Sequence, residues 1–424
     1  MHDRELYSRI LDIKPPWEVV DVELRREERE VLIRVEWIPS SSLECPECGG
    51  ACPGYDRRER RWRHLDTCQY KTILHATVPR VRCPEHGVQQ VRVLWAEPGS
   101  RFTALFERLV IDWLKEASTS AVAEQFDLSW DEVDGVMQRA VARGLSRREE
   151  QRPKRLGVDE TSFQKHHEYV TVISDMTRGV VVDVLEDRTQ KTLETALMGL
   201  GGDVLEGLEC IAMDMWHPYI NAVKLVVPKA TDKIAYDKFH IIKHLGDAVD
   251  KVRRQEHRAL VAEGIDALKG SKYLWLRGGE RLERDEKQTM AELETAAVRT
   301  ARAWSIKELA RQLWQYATKG WARRGWRRWY LRAIRSRLEP VKKVARMIWK
   351  HIDGVVNGIV KNVTNAKAEA INTRIQSLKK TACGFRNRSR FRAAILFHLG
   401  ESRSLPRACY AVITHSKAGS AQNI

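Results

Sequence analysis

Two four-residue segments constrain this chain more than any other feature. Cys45-Pro46-Glu47-Cys48 and Cys83-Pro84-Glu85-His86 repeat one pattern, and a glycine (Gly49, Gly87) follows each. A C-x-x-C turn presents two thiolates at the bite of one zinc ion, and C-x-x-H presents a thiolate and an imidazole. Four such ligands close a tetrahedron and force residues 45 and 86 of the chain together. Strands between the two turns would make a zinc ribbon, and a filled tetrahedron makes the Zn2+ structural. Cys52 and Cys68 compete as ligands but belong to no paired turn. Eight cysteines in 424 residues, five of them between 45 and 83, fit metal binding in a reducing compartment better than a disulfide scaffold.

At 424 residues the chain is too long for one ordinary core, so several domains are expected. Lys and Arg number 73 against 57 Asp and Glu, a formal charge of +16 that favours a polyanionic partner, most simply nucleic acid. Met1 to Glu5 is polar, without an apolar signal core, and no apolar run is long enough to span a bilayer. A cytoplasmic, nucleoid-associated protein with no membrane partner is expected. No internal repeat or low-complexity tract is present.

Residues 14–38 read as two short strands, Val19–Val22 and Val31–Val35, and residues 71–95 as further strands at Thr72–Leu74 and Val91–Leu94. From Phe102 the apolar spacing turns helical. Thr119–Phe126 is a capped helix, Asp127-Leu128-Ser129 a tight turn, and Trp130–Ala142 a second helix with Val133, Val136 and Met137 inward. This is helix-turn-helix spacing, with the second helix suited to the major groove and Arg139 and Arg143 to phosphates. A plain helical hairpin has the same pattern.

After a charged linker at 146–155, strands and helices alternate from Arg155 to about residue 243, a mixed α/β layout. Asp159 ends the apolar strand Leu156–Asp159, and Asp214 ends Cys210–Asp214. A carboxylate at a buried strand end is costly unless something pairs with it. On adjacent strands, two of them can share divalent ions, whose hard character suits oxygen ligands. A pair of Mg2+ or Mn2+ ions can activate an attacking oxygen and stabilise a leaving one in phosphoryl transfer. A third ligand is expected from a helix packed on the sheet. In Asn365–Asn372 that residue is Glu369, with Asn365, Glu369, Asn372 and Gln376 on one face. Residues 241–355 read as almost wholly helical, and 360–400 as a helix pair broken at Gly384. Within the helical stretch, Trp321–Tyr330 interleaves Arg323, Arg324, Arg327 and Arg328 with Trp326, a pattern that can grip phosphates and stack on unpaired bases.

Together these segments resemble the ISL3 group of insertion-sequence transposases over roughly residues 15 to 400. The resemblance rests on Gly157-Val158-Asp159-Glu160, on Ala212-Met213-Asp214-Met215-Trp216 with Tyr219, and on Asn365-Ala366-Lys367-Ala368-Glu369-Ala370-Ile371-Asn372, where Ala370 replaces a frequent glycine. It implies an N-terminal zinc ribbon, a helix-turn-helix, and an RNase H-like DDE domain carrying a helical insertion. Asp237-Lys238-Phe239-His240 also resembles a family motif, which implies that His240 neighbours the active site. The expected domains are 1–98 (zinc ribbon region), 99–150 (helix-turn-helix), 151–243 with 356–402 (catalytic), 244–355 (insertion) and 403–424 (a loosely ordered tail). The implied activity is metal-dependent cleavage and transfer of DNA strands at inverted-repeat ends by a homodimer or larger assembly on double-stranded DNA. The sites are Asp159, Asp214 and Glu369 for metal, and Cys45, Cys48, Cys83 and His86 for zinc. Two alternatives share the motifs: a non-catalytic DNA-binding regulator, and an RNase H-like nuclease without strand transfer.

Overall fold

The computed structural model describes residues 3–39, 41–148, 152–164, 168–363, 366–401 and 405–406, so Asn365 and nearly all of the expected tail lie outside the described residues. The chain forms two compact units, residues 1–148 with 402–424, and residues 149–401.

The first unit opens with α1 (Asp3–Ile10). Five strands follow: β1 (Trp17–Arg25), β2 (Glu30–Trp37), β3 (Gly54–Thr67), β4 (Tyr70–Cys83) and β5 (Gly87–Gln90). They make one sheet in the order β1-β2-β4-β3, with β5 on β4 and only β2–β4 parallel. Its inner face buries Ile33, Leu74, Val78 and Val81, and the rings of Trp17 and Trp62 meet Trp95 edge-on at 5.0 and 5.3 Å. Residues 91–94, expected as a strand, belong to no ladder: Val91 donates once to the Pro79 carbonyl and the pairing ends there.

Three helices complete this unit: α2 (Ala104–Glu116), α3 (Thr119–Phe126) and α4 (Trp130–Ser146). Side-chain caps set their starts. Thr103 caps α2, Ser118 caps α3, and Ser129 with Glu132 closes a full capping box on α4. Each cap contributes about 1 kcal/mol. Asp127 takes the left-handed conformation (φ 50°) that breaks α3 and permits the turn.

The second unit is built on β6 (Arg155–Gln164), β7 (Glu168–Asp175) and β8 (Val180–Leu185). Helices α5 (Gln190–Met198) and α6 (Gly202–Gly207) follow, then β9 (Cys210–Met213), α7 (His217–Val226), α8 (Ala230–Lys233) and β10 (Ile234–Tyr236). The sheet order is β10-β9-β6-β7-β8. β10, β9 and β6 run parallel, and β6, β7 and β8 form an antiparallel meander. This is the mixed RNase H-like sheet that the resemblance implies.

Helices then dominate: α9 (Lys238–Ala262), α10 (Lys272–Leu276), α11 (Arg284–Ala296), α12 (Val298–Gln312), α13 (Lys319–Ile334), α14 (Glu339–Lys350) and α15 (Ile352–Val360). One continuous apolar core runs from the sheet (Val158, Ile173, Ile211) through α9 (Val249, Val252) to α12, α13 and α15 (Ile306, Trp326, Val355). Buried charges in it serve backbone ends. Lys307 donates to the carbonyls of Trp275, Leu276 and Arg277, and Glu256 accepts from the first amides of α12. Finally, α16 (Ala366–Thr381) and α17 (Arg388–Leu399) return to the sheet, α16 over β6 and α17 over β8.

Candidate functional site

The Cys/His quartet comes together. Ligand atoms of Cys45, Cys48, Cys83 and His86 all lie within 4.8 Å of one another. Sγ of Cys48 is 3.8 Å from that of Cys83, and His86 Nδ1 is 3.8 Å from Cys45 Sγ and 3.5 Å from Cys83 Sγ. A tetrahedron with zinc–sulfur legs of about 2.3 Å has edges of about 3.8 Å, so these four side chains fit the ion. Gly49 (φ 72°) and Gly87 (φ 66°) turn the chain through a region that side-chain-bearing residues avoid. Amides of His86 and Glu85, with the His86 ring, bring the Cys83 thiol down to about 6. Cys52 stands beside the quartet without joining it.

Two arginines expected on phosphates are engaged elsewhere. Arg139 Nη2 lies 2.6 Å from Glu107, and Arg143 lies 3.0 Å from Glu107 and 2.6 Å from Glu97. Glu107 is only 1 % exposed, so both arginines neutralise a buried carboxylate that ties α4 to α2. Removing either would leave that charge short of a partner. The exposed positions of α4 include Asp131, Gln138 and Ala142 instead.

The aspartates of the second unit converge through strand register. Val158 pairs with Met213, and Met213 pairs with Tyr236, so Asp159 on β6 is flanked by Asp214 and Asp237, the residues that immediately follow the parallel strands β9 and β10. Asp159 is not at a strand end as expected. β6 runs on to Gln164 because its hairpin partner β7 continues beyond the point where β9 stops. Asp159 Oδ1 accepts from the Glu160 amide and Oδ2 from Asn372 Nδ2, each at 2.8 Å. Burial, with the charge of Asp214 added, raises its pKa despite these bonds. His240 Nδ1 sits 2.7 Å from Asp214 Oδ1. Burial opposes a charge on that ring, but the bond to Asp214 and the charges of Asp159 and Asp237 outweigh it and raise the pKa. Asp237 caps α9 through the Phe239 amide and is itself raised, by burial first and by Glu369 among its neighbouring charges.

The helix α16 carries Glu369 at an exposed position, one turn before Asn372. Its carboxylate is near enough to raise Asp237. Yet among the described residues only the Cys/His quartet gathers ligand atoms of three or more Cys, His, Asp or Glu residues within 4.8 Å; Asp159, Asp214 and Glu369 are more widely spaced. The site also holds residues to which the sequence reading gave no role. Arg188 lies over the rings of Trp216 and Tyr169 at 5.5 and 5.4 Å and pairs with Glu160 at 3.4 Å. Trp216 and Phe239 are exposed beside Asp214 and His240. Their place inside the Asp214 and His240 motifs was the available signal.

On α13, helical periodicity separates the basic and aromatic residues. Arg323, Arg324, Arg327 and Arg328 are exposed, but Trp326 is fully buried against Trp314 and Trp329 and cannot stack on a base. The exposed ring is Trp321, with Arg324 5.3 Å above it. No helix among the described residues is long and apolar enough to cross a membrane.

Comparison with known proteins agrees with this anatomy. A family model described as transposase, the DDE domain of ISL3, matches residues 156–395. A zinc-finger model for transposases of IS204, IS1001, IS1096 and IS1165 matches 42–86, and a model of the helix-turn-helix domain of transposase family ISL3 matches 91–141. Among curated proteins, the transposase for insertion sequence element IS1001 of Bordetella parapertussis is 25 % identical over 352 residues, covering 82 % of this chain and 86 % of that protein. The transposase for insertion sequence element IS1557 of Mycobacterium tuberculosis is 26 % identical over 439 residues, covering 96 % of this chain and 98 % of that protein. With zinc ribbon, helix-turn-helix and catalytic domain all matched in order, the chain belongs to the ISL3 family of transposases.

Proposed function

We propose that this transposase binds the terminal inverted repeats of its insertion sequence, cleaves a strand at each end and transfers the ends to target DNA, with Asp159, Asp214 and Glu369 as ligands of two Mg2+ or Mn2+ ions. The observation that carries the reading is that Asp159 on β6 and Asp214 just past the end of β9 each follow the last paired residues of two neighbouring parallel strands, with the Glu369 helix bonded to Asp159 through Asn372. The donor set fits a hard cation. It consists of carboxylate oxygens, and Asp159 is raised by burial and by Asp214, a strain that positive charge relieves. When bound, such ions would stabilise the attacking and leaving oxygens of an in-line displacement at phosphorus.

The chain's own residues do the rest. The Glu160 amide and Asn372 fix the two oxygens of Asp159. His240 fixes Asp214 and holds a proton at the floor of the site, close to where a scissile phosphate would lie. Arg188, stacked on Trp216, offers a cation to a neighbouring phosphate. Arg323, Arg324, Arg327 and Arg328 would track the DNA backbone, with Trp321 as the stacking ring in place of Trp326. The helix-turn-helix would read sequence with α4, its Arg139 and Arg143 serving the fold. Two ends must be held together for transfer, so the working form is at least a dimer on DNA, associated with the nucleoid.

The test is Asp214→Asn, with end binding and cleavage measured on the same preparation. End binding is expected to stay within about twofold while cleavage falls by at least about a hundredfold. Retained cleavage would remove Asp214 from the metal site. Cleavage by the unaltered protein without joined product would instead identify a nuclease.

A further inference from the structure

The contact between α16 and β6 has a regular spacing. Asn372 Nδ2 donates to Asp159 Oδ2 at 2.8 Å, and Gln376 Nε2 donates to Thr161 Oγ1 at 2.9 Å. Lys379 then reaches the Ser162 carbonyl at 3.1 Å. Four residues of helix rise about 6 Å and two residues of strand about 6.7 Å, so amides on successive turns meet every second strand residue. The bonds set how far α16 slides along β6, and with it the position of Glu369 near Asp237.

One atom in this row is left over. Asn372 Oδ1 is buried and has no hydrogen-bond partner. Turning the amide over would aim oxygen at the Asp159 carboxylate, so the nitrogen must face Asp159 and the oxygen must face away. A buried oxygen acceptor without a donor, one side chain from a candidate metal-binding carboxylate, marks a place for a cation or its bound water. Amide oxygens are ordinary ligands of hard divalent ions.

We propose that Asn372 belongs to the metal site: its Nδ2 orients the Asp159 carboxylate, and its Oδ1, on the other side of the amide, would accept from a water in the coordination shell of the bound ions. This rests on the metal-dependent reading of Asp159 and Asp214. Glu369 and Asn372 then work as a pair, one turn apart, on the same helix face.

The test uses the full-length, zinc-loaded chain and Mn2+ titration followed by electron paramagnetic resonance, with thermal unfolding measured with and without Mn2+. In Asn372→Leu, Mn2+ binding is expected to weaken by about 10- to 100-fold. Its unfolding temperature without Mn2+ should move by no more than a few degrees, because the loss of the unpaired oxygen offsets the loss of the bond to Asp159. Asn372→Asp keeps the outward oxygen and sets like charges together. It is expected to unfold earlier without Mn2+, and to regain stability and wild-type or tighter affinity with it. Wild-type affinity in Asn372→Leu, with a lowered unfolding temperature, would assign Asn372 a purely structural role and overturn the proposal. So would Asn372→Asp binding as weakly as Asn372→Leu. Asp214→Asn separates the two levels. If it weakens Mn2+ binding and Asn372→Leu does not, only this inference falls; if neither does, the carboxylate site falls with it.

Discussion

His64 shows how much one buried side chain commits to a charge state. It is 5 % exposed on β3, and its Nδ1 lies 2.9 Å from Oγ1 of Thr103, the residue that caps α2. Burial, helped by the neighbouring Arg63 charge, pushes its pKa down to about 4. An unfolded histidine titrates near 6.5, so between those values the unfolded chain takes up a proton that the folded chain refuses. The stabilisation is complete above about pH 6.5 and is lost as pH falls towards 4, at most about 3 kcal/mol in all. Urea unfolding of the full chain at pH 7 and pH 4.5 should show this loss, and His64→Gln should flatten it. Equal pH slopes in the two proteins would mean that His64 is not held neutral. Single residues of this kind were unevenly legible in the sequence. Asp159 and Asp214 stood out because a carboxylate after an apolar run is anomalous by itself. Arg139 and Arg143 were misread because their partners, Glu107 and Glu97, lie far away in the chain and only the fold brings them near. Trp326 was misread because interleaved Arg and Trp do not reveal which face of a helix is buried.

Among the elements, α15 depends most on what it lacks. Its Gly358 lies so close to β10 that a Cβ there would overlap the backbone carbonyl of Tyr236, which cannot give way. On the same helix Asn357 Nδ2 donates to the carbonyls of Thr231 and Ile234, each at 2.8 Å, and so pins α15 to α8 and to the start of that short strand. Asp237 and His240 follow immediately, so the seating of α15 sets the floor of the candidate site. Gly358→Ala should cost about 2 to 3 kcal/mol by overpacking and lower the unfolding temperature by several degrees. Gly202→Ala, where a Cβ meets nothing within 4 Å, is the matched control. Equal unfolding temperatures in the two variants would show that α15 has room to shift. Elements were legible where side-chain pattern and burial agree: the capped helices α3 and α4, and the apolar strands β7, β8 and β9. β3 escaped because Tyr55-Asp56-Arg57-Arg58-Glu59 is exposed along its whole length at the sheet edge and carries no alternation. Val91–Leu94 has strand-forming residues but no partner along its length.

The molecule as a whole consists of two units with separate cores, one around Trp17, Trp62 and Trp95 and the other around the mixed sheet and its helices. The zinc quartet belongs entirely to the first, and the aspartates with Glu369 and Asn372 entirely to the second. The metals should therefore act on different transitions. Small zinc ribbons draw much of their folding free energy from the ion, on the order of 10 kcal/mol in isolated fingers. Calorimetry of the zinc-loaded chain is expected to show two unfolding transitions. A zinc-selective chelator should abolish or sharply lower one of them. The other should stay within about a degree and keep its upward shift on adding Mn2+. DNA binding should divide in the same way. The chelated protein should lose its preference for end sequences with the unit that carries the helix-turn-helix. It should keep weak, salt-sensitive binding through the exposed arginines of α13, which the second unit retains. A single transition that moves as one with chelation would mean that the two units fold as a cooperative whole. Zinc would then support the catalytic unit as well as the unit that contains it.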